Sequence, residues 1–169
     1  MKKTLKVLND LKKKGIIKDY AIAGGIATIF YVEPILTYDL DIFFTYKIEP
    51  KGLVSLDPIY KFLRKKGYKE KEEHVLIAGI PVQFIPVYDA LSQKAVEEAK
   101  GTTYSGIKTK VIGAEHLIAI MLQVSRPKDK ERISMLLDQA KVDKRRLNLI
   151  LKRHKLTQKY KNFIKLYGK

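Results

Sequence analysis

The chain has 169 residues, of which 46% are hydrophobic, and carries a formal net charge of +16. This length and composition predict one globular domain with a real core. The absence of cysteine excludes disulfides, cysteine nucleophiles and thiolate zinc sites. The three histidines are scattered along the chain and show no metal-ligand spacing. There is no run of about 18 apolar residues and no signal-peptide core, so we expect a cytoplasmic protein without a membrane partner.

The first part of the chain predicts a helix followed by a strand. Leucines recur every third residue within residues 2–14, which is typical of an amphipathic helix, and Gly15 ends it. Tyr20 to Ala23 form a short apolar run that predicts a buried strand.

The glycine pair Gly24-Gly25 interrupts this strand, and a helical pattern follows at residues 26–31. Such a turn lets backbone N–H groups approach a ligand closely. The start of a helix adds a partial positive charge. This junction therefore suits a phosphate group.

Asp39 and Asp41 begin the second predicted strand, which continues to about Tyr46. Successive side chains of a strand point to opposite faces, so both aspartates share one face while the apolar residues occupy the other. At a rise of about 3.3 Å per residue, their Cα atoms lie roughly 6 to 7 Å apart. Two such carboxylates can converge on one Mg²⁺ ion, which prefers oxygen ligands.

A purely structural interpretation stands beside this one. A glycine pair is commonly just a turn, and an Asp-x-Asp sequence can form a solvated strand face. However, an apolar strand has little reason to begin with two acids unless something offsets their mutual repulsion. We therefore favour a ligand site.

The remaining elements follow from turn residues and apolar spacing. The Asp57-Pro58 pair predicts the start of a helix that ends at Gly67. Up to residue 113, the other predicted elements are a loop at 49–52, an exposed edge strand at 68–74, a hairpin of strands 74–80 and 82–87, a short helix within 89–100 and two short strands within 101–113. After residue 113 the pattern is helical. The first helix runs from 114 to a break at Arg126-Pro127, the second begins at 128, and two more cover 145–151 and 156–166.

Gly-Gly, a helix of about two turns and Thr-x-Asp-x-Asp on a strand resemble the signature of the polymerase-beta-like nucleotidyltransferase superfamily. Within it, AGGIATIFY followed by EPILTYDLDIFF is most similar to small proteins related to the AbiEii toxin type. The resemblance covers nearly the whole chain. It implies an α+β fold: a nucleotidyltransferase-like core with a mixed sheet at residues 1–113, and a basic helical extension at residues 114–169 packed on that core.

The resemblance also implies an activity, namely the Mg²⁺-dependent transfer of a nucleoside monophosphate from an NTP to a hydroxyl group of RNA, such as tRNA, or of a small acceptor. Asp39 and Asp41 would be the catalytic residues and the metal ligands. Gly24 and Gly25 would let the backbone approach the triphosphate. Thr37 would set the entry to the strand or touch a phosphate.

The stretch Arg126-Pro127-Lys128-Asp129 is similar to the Arg-x-Lys-Asp motif of the same family. By that resemblance Lys128 would neutralise a phosphate of the nucleotide, Asp129 would orient Lys128, and Arg126 would offset further phosphate charge. The alternative is a capped, solvated helix start.

One position departs from the family pattern. The superfamily usually places a third carboxylate on a strand next to the Asp-x-Asp strand, and the matching position here is Gln83. A neutral amide contributes no charge, so we expect a second Mg²⁺ to be held less well. Asp89 and Glu73 are the candidates to replace the missing carboxylate.

The positive charge is concentrated in the last third of the chain, where residues 101–169 contain 17 Lys and Arg against 5 Asp and Glu. A basic surface of this size attracts polyanions such as RNA, although a merely solvated surface gives the same composition. Three hypotheses follow: a nucleotidyltransferase, a non-catalytic nucleotide- or RNA-binding module with a degenerate site at Gln83, and one partner of a toxin–antitoxin pair. Asp39 with Asp41 favours the first, and Gln83 favours the second.

Overall fold

The computed structural model of the protein describes residues 1–46 and 55–168, and the predicted loop at 49–52 lies outside these ranges. The helices are α1 (Lys2–Lys13), α2 (Gly24–Ile29), α3 (Asp57–Lys65), α4 (Ala90–Glu97), α5 (Ala114–Val124), α6 (Pro127–Gln139), α7 (Lys144–Arg153) and α8 (Thr157–Tyr167). The strands are β1 (Asp19–Ile22), β2 (Leu40–Thr45), β3 (Lys69–Lys71), β4 (His74–Ile77), β5 (Ile80–Pro86), β6 (Lys100–Tyr104) and β7 (Ile107–Val111). The predicted α+β class is confirmed.

The strands form one mixed sheet in the order β3-β4-β5-β2-β1-β7-β6. β2 lies at its centre, antiparallel to β1 and parallel to β5. β1 in turn pairs in parallel with β7. The strand that carries Asp41 is therefore flanked on both sides.

The predicted edge strand and hairpin are confirmed, with shifted bounds. β3 covers only residues 69–71, all of them exposed, because the chain turns at residues 72–73 to enter β4. The hairpin turn lies at residues 78–79 rather than at 79–81, since Ile80 already pairs with Ile77.

The hydrophobic core is one continuous cluster that includes residues from the sheet and from the helices on both halves of the chain. The three leucines of α1, Leu5, Leu8 and Leu11, are fully buried, as their spacing predicts. On β2, Leu40 and Ile42 are also 0% exposed. Burial of side chains of this size stabilises the fold by about 1.5 to 3 kcal/mol each, so β2 is a rigid support for the acids at its start.

α5 is the central helix of the C-terminal part. It is apolar on most sides and packs against α2, α4, α6 and α7, which accounts for its burial from Ala114 to Leu122. α6 follows directly and reaches the region of α2. The division of the chain after residue 113 stays a prediction. Within the described part of the chain, no helix is both long and apolar enough to cross a membrane.

Candidate active site

Asp39 and Asp41 come together at the start of β2. The strand begins at Leu40, so Asp39 lies one residue before it and Asp41 is its second residue. Asp41 is only 9% exposed, whereas the Asp39 side chain is 32% exposed. The backbone N–H of Ala23 donates to the carbonyl oxygen of Asp41 at 2.9 Å. This bond fixes the start of β2 beside the start of α2.

Gly24 and Gly25 are the first residues of α2, so this helix begins two residues earlier than the predicted 26–31. Gly24 has a φ of +56°, a conformation that L side chains rarely adopt. A Cβ atom on Gly24 would lie 1.7 Å from Oδ2 of Asp41. Only glycine therefore leaves room for the carboxylate at this position.

Thr37 lies between the glycine pair and Asp39. Its hydroxyl group donates a hydrogen bond to Oδ1 of Asp39 at 3.3 Å. A Cβ atom on Gly25 would lie 2.5 Å from Oγ1 of Thr37, so this side chain packs directly on the glycine pair. The predicted phosphate contact of Thr37 stays a prediction.

The Asp41 carboxylate occupies a position that is unfavourable for a negative charge. Burial raises its pKa above the ordinary value of 3.8, and the neighbouring carboxylate of Asp39 raises it further. The nearby cations Arg126, Lys128 and Arg132 act in the opposite direction. The site therefore combines two acids with a set of cations from α6.

The two aspartates fit a divalent cation. Within residues 1–46 and 55–168, no lysine or arginine forms an ion pair with either of them; the nearest basic group is Nε2 of His74, 3.7 Å from Oδ2 of Asp39. This buried nitrogen has no hydrogen-bond partner in those ranges. Carboxylates without a direct lysine or arginine ion pair suit Mg²⁺, which commonly takes one or two carboxylates plus substrate phosphates. The same ranges contain no group of three or more His, Cys, Asp or Glu side chains that could hold a metal.

Gln83 lies directly beside Asp41, since the parallel pairing of β2 and β5 places the two residues opposite each other. The side-chain amide of Gln83 donates to Oε2 of Glu73 at 3.0 Å. The turn between β3 and β4 thus brings one carboxylate to the amide of Gln83. It does not form a three-carboxylate group with Asp39 and Asp41.

The hypothesis that Asp89 replaces the third carboxylate is wrong. β5 runs parallel to β2, and its last residue, Pro86, pairs with Phe44. Asp89 follows beyond that end, and the three residues from Gln83 to Pro86 alone span about 10 Å. The Asp89 carboxylate accepts hydrogen bonds from the backbone of Leu91 and Ser92, so it caps α4.

Arg126 and Asp129 pair with each other at the start of α6. Nε of Arg126 donates to Oδ2 of Asp129 at 3.0 Å, and Nη2 donates to Oδ1 at 3.2 Å. The Asp129 carboxylate also accepts from the backbone N–H of Arg126, as in a capping box. The prediction that Asp129 orients Lys128 is therefore wrong, because this fully buried carboxylate is occupied by Arg126. Lys128 is exposed, and the predicted phosphate contacts of these residues stay predictions.

Arg132 is the residue of this site that sequence reasoning missed. It lies four residues after Lys128 on α6, which places both cations on the same face of the helix. Arg132 is only 8% exposed. Its Nη2 atom lies 2.9 Å from the point that a Cβ atom on Gly25 would occupy, so the guanidinium faces the glycine pair. The four-residue spacing from Lys128 is the signal that would have found it.

No protein-family model and no curated protein matches the chain. Solved structures do match. The crystal structure of ANT(2")-Ia in complex with adenylyl-2"-tobramycin aligns with a TM-score of 0.54 at 14% identity, over 92% of this chain and 95% of that chain. The solution structure of the antibiotic-resistance factor ANT(2'')-Ia gives a TM-score of 0.54 at 14% identity, over 95% and 94% of the two chains. An antigenic nucleotidyltransferase-like protein from Paracoccidioides brasiliensis gives 0.54 at 19% identity, over 94% of this chain and 90% of that chain. The chain therefore has a nucleotidyltransferase-like fold.

Proposed function

We propose that the protein is a Mg²⁺-dependent nucleotidyltransferase that moves a nucleoside monophosphate from an NTP to an acceptor hydroxyl group. The observation that carries this proposal is the buried carboxylate of Asp41, which packs on the backbone of Gly24 beside Asp39 and has no cationic partner within 4 Å in the described ranges. A carboxylate held in this way costs stability unless a ligand compensates it. The shared fold supports nucleotidyl transfer as the chemistry.

Nucleotidyl transfer requires mainly positioning and charge neutralisation. The acceptor hydroxyl attacks the α-phosphorus in line and releases its proton to water, the bond from the α-phosphorus to the bridging oxygen breaks, and pyrophosphate leaves with that electron pair. Asp39 and Asp41 would hold Mg²⁺, which when bound supplies Lewis-acid stabilisation of the phosphate oxygens. The bare backbone at Gly24 and Gly25 lets the triphosphate approach closely.

Positive charge from α6 complements the metal site. Asp129 holds Arg126 in place, and Lys128 is exposed one turn from Arg132. Arg126 and Lys128 can therefore both offset phosphate charge. Gln83 adds no charge to the metal site beside Asp41. We therefore propose one tightly held Mg²⁺ ion rather than two.

Thermal melting with each of the four NTPs, with and without Mg²⁺, tests this proposal. A ligand at about 100 times its dissociation constant stabilises the protein by roughly 2.7 kcal/mol. For a chain of this size, that corresponds to a rise in melting temperature of about 5 to 10 °C. We expect such a rise for at least one NTP in the presence of Mg²⁺ only. The absence of any shift with all four NTPs contradicts the proposal.

RNA is the acceptor that the charge distribution favours. The exposed side chains of α7 include Arg145, Lys152 and Arg153, whereas Arg146 is partly buried and pairs with Glu98 at 2.9 Å. Free cations on one helix can bind the phosphate backbone with release of counterions. A small hydroxyl compound is the other acceptor class, since ANT(2")-Ia was solved with an adenylylated small molecule, adenylyl-2"-tobramycin.

Binding of a tRNA mixture at several salt concentrations separates these two acceptor classes. We expect affinity to fall steeply between about 50 and 200 mM salt, in proportion to the number of phosphates contacted. Changing Arg145, Lys152 and Arg153 to glutamate should weaken binding at least about 10-fold, while Arg146 is left intact to keep its ion pair. If the affinity for tRNA does not change with salt, these residues form only a solvated surface, and a small acceptor is favoured.

The toxin-type relationship and a toxin–antitoxin partner stay predictions. A non-catalytic nucleotide- or RNA-binding module is the alternative that Gln83 supports. Release of pyrophosphate in the presence of an acceptor distinguishes it from the enzyme, because a binding module would give the Mg²⁺-dependent melting shift without turnover.

A further inference from the structure

Arg132 is a buried cation without a partner in the described part of the chain. The arginines that form ion pairs there, Arg64, Arg126 and Arg146, have side chains that are 39 to 50% exposed. Arg132 is more deeply buried, at 8% exposure. Yet within residues 1–46 and 55–168 no carboxylate lies within 4 Å of its guanidinium, and the group donates no hydrogen bond.

Withdrawal of most of an arginine side chain from water without an ion pair is unfavourable, and its nitrogen atoms are not among the fully buried polar atoms without a partner, so they stay open to a ligand. Arginine cannot escape this cost by releasing its proton, since its pKa is above about 12. The position therefore suits an anion as the missing partner. Planar guanidinium groups bind phosphate oxygens through two parallel hydrogen bonds.

The location of Arg132 indicates which part of a nucleotide it would meet. The first glycine of the pair, Gly24, packs on Asp41, whereas the second, Gly25, packs on Thr37 and Arg132. The guanidinium thus lies one residue further along α2 than the metal-binding carboxylate. α2 has only six residues, so its backbone dipole is small, and Arg132 is the cationic side chain on which Gly25 packs.

We propose that Arg132 binds the β- and γ-phosphates of the NTP and thereby selects triphosphates over monophosphates. This inference rests on the proposed function, because the α-phosphate is assigned to the metal at Asp39 and Asp41. The β- and γ-phosphates then extend along Gly25 to the guanidinium. Arg132 is thus a substrate-binding residue for the part of the NTP that leaves as pyrophosphate.

Titration calorimetry on Arg132→Met and Arg132→Lys tests the proposal. The methionine variant keeps an unbranched apolar stem and removes the buried charge, so we expect its melting temperature without ligand to be equal to or higher than that of the wild type. The probes are inorganic pyrophosphate, an NTP and the matching NMP, each with Mg²⁺. Arg64→Met, which changes an arginine of α3 whose side chain is 50% exposed and lies outside both proposed binding sites, is the matched control.

In Arg132→Met we expect the affinity for pyrophosphate and for the NTP to fall about 10- to 100-fold. The affinity for the NMP should change by less than about 3-fold, Arg132→Lys should fall between wild type and methionine, and the control should match the wild type. Equal losses for NMP and NTP, or a lower melting temperature with unchanged pyrophosphate affinity, would overturn the proposal and make Arg132 a structural residue.

The failures of the two proposals can be told apart. If the wild type binds NTP with Mg²⁺ and Arg132→Met binds it equally well, only the role of Arg132 is overturned. If the wild type binds pyrophosphate through Arg132 but no NTP, the anion site stands and the proposed function fails. If the wild type binds neither probe, both fail.

Discussion

Replacing Asp41 by asparagine is expected to raise the melting temperature of the ligand-free protein at pH 7 by about 2 to 4 °C, which for a chain of this size is about 1 kcal/mol. The reason is that burial and the adjacent Asp39 raise the pKa of Asp41, so its charged form is unfavourable in the folded state. Asparagine has nearly the same shape and no charge. The same substitution should abolish Mg²⁺-dependent stabilisation by NTPs, and so should the double change of Asp39 and Asp41 to asparagine.

The stability difference between Asp41→Asn and the wild type should change with pH in a definite direction. A carboxyl group whose pKa is higher in the folded than in the unfolded state adds stability below the unfolded value and loses it as the pH rises through the folded value. The stability gained by Asp41→Asn should therefore appear above pH 3.8 and grow as the pH rises through the folded pKa. Melting curves from about pH 3.5 to about pH 8 measure this difference.

Asp138→Asn is the matched control for this prediction, because Asp138 is an exposed carboxylate on α6. It should leave both the melting temperature and the NTP response near the wild-type values. A lower melting temperature in Asp41→Asn, or an unchanged response to NTP with Mg²⁺, would show that the Asp41 carboxylate is a structural group rather than a metal ligand.

Gly24→Ala is expected to be the most damaging single substitution at the site. A Cβ atom at this residue would lie 1.7 Å from Oδ2 of Asp41, so the carboxylate has to move. The left-handed backbone at φ +56° adds a cost of about 1 to 2 kcal/mol for any L side chain. We expect a clear loss of thermal stability together with loss of Mg²⁺-dependent NTP binding.

Gly67→Ala separates the cost of the left-handed backbone from the cost of the steric clash with Asp41. Gly67 has a φ of +81°, and no atom lies within 4 Å of the point that a Cβ atom would occupy there, so this substitution carries the backbone cost without a clash. It should lose about 1 to 2 kcal/mol of stability and keep NTP binding.

A double-mutant cycle provides the second measurement, should Gly24→Ala fold poorly. Asp41→Ala removes the two closest atoms, Oδ2 at 1.7 Å and Cγ at 2.7 Å, and keeps only Cβ at 3.1 Å. Adding Gly24→Ala to it should therefore cost less stability than adding Gly24→Ala to the wild type. Equal costs in both backgrounds would mean that Gly24 and Asp41 do not interact as the structure indicates.

Local sequence patterns are enough to predict those parts of the candidate site whose residues are close together in the sequence. The alternation of side chains along a strand predicts that Asp39 and Asp41 share a face, and the glycine pair marks the start of α2. The prediction that Gln83 lies on a strand beside them is confirmed by the pairing of Asp41 with Gln83.

Contacts between residues that are far apart in the sequence cannot be predicted from local patterns. Asp89 is a candidate ligand in the sequence because it is only six residues from Gln83, but the parallel direction of β5 carries it to the other end of the sheet. The four-residue spacing places Arg132 on the same helix face as Lys128, but it does not reveal that this face packs on Gly25, more than a hundred residues earlier. Likewise, Asp129 pairs with Arg126 and does not orient Lys128. This choice depends on the side-chain geometry at the start of α6.

A crystal structure of the protein with Mn²⁺ and a non-hydrolysable NTP analogue, with the metal located by anomalous scattering, would show directly whether Asp39 and Asp41 form the metal site. Mn²⁺ takes the same oxygen ligands as Mg²⁺. We expect one strong anomalous peak bound by the carboxylates of Asp39 and Asp41, with the triphosphate lying along Gly24 and Gly25. A metal or nucleotide bound elsewhere, or neither bound at saturating concentrations, would contradict the assignment of this site to nucleotidyl transfer.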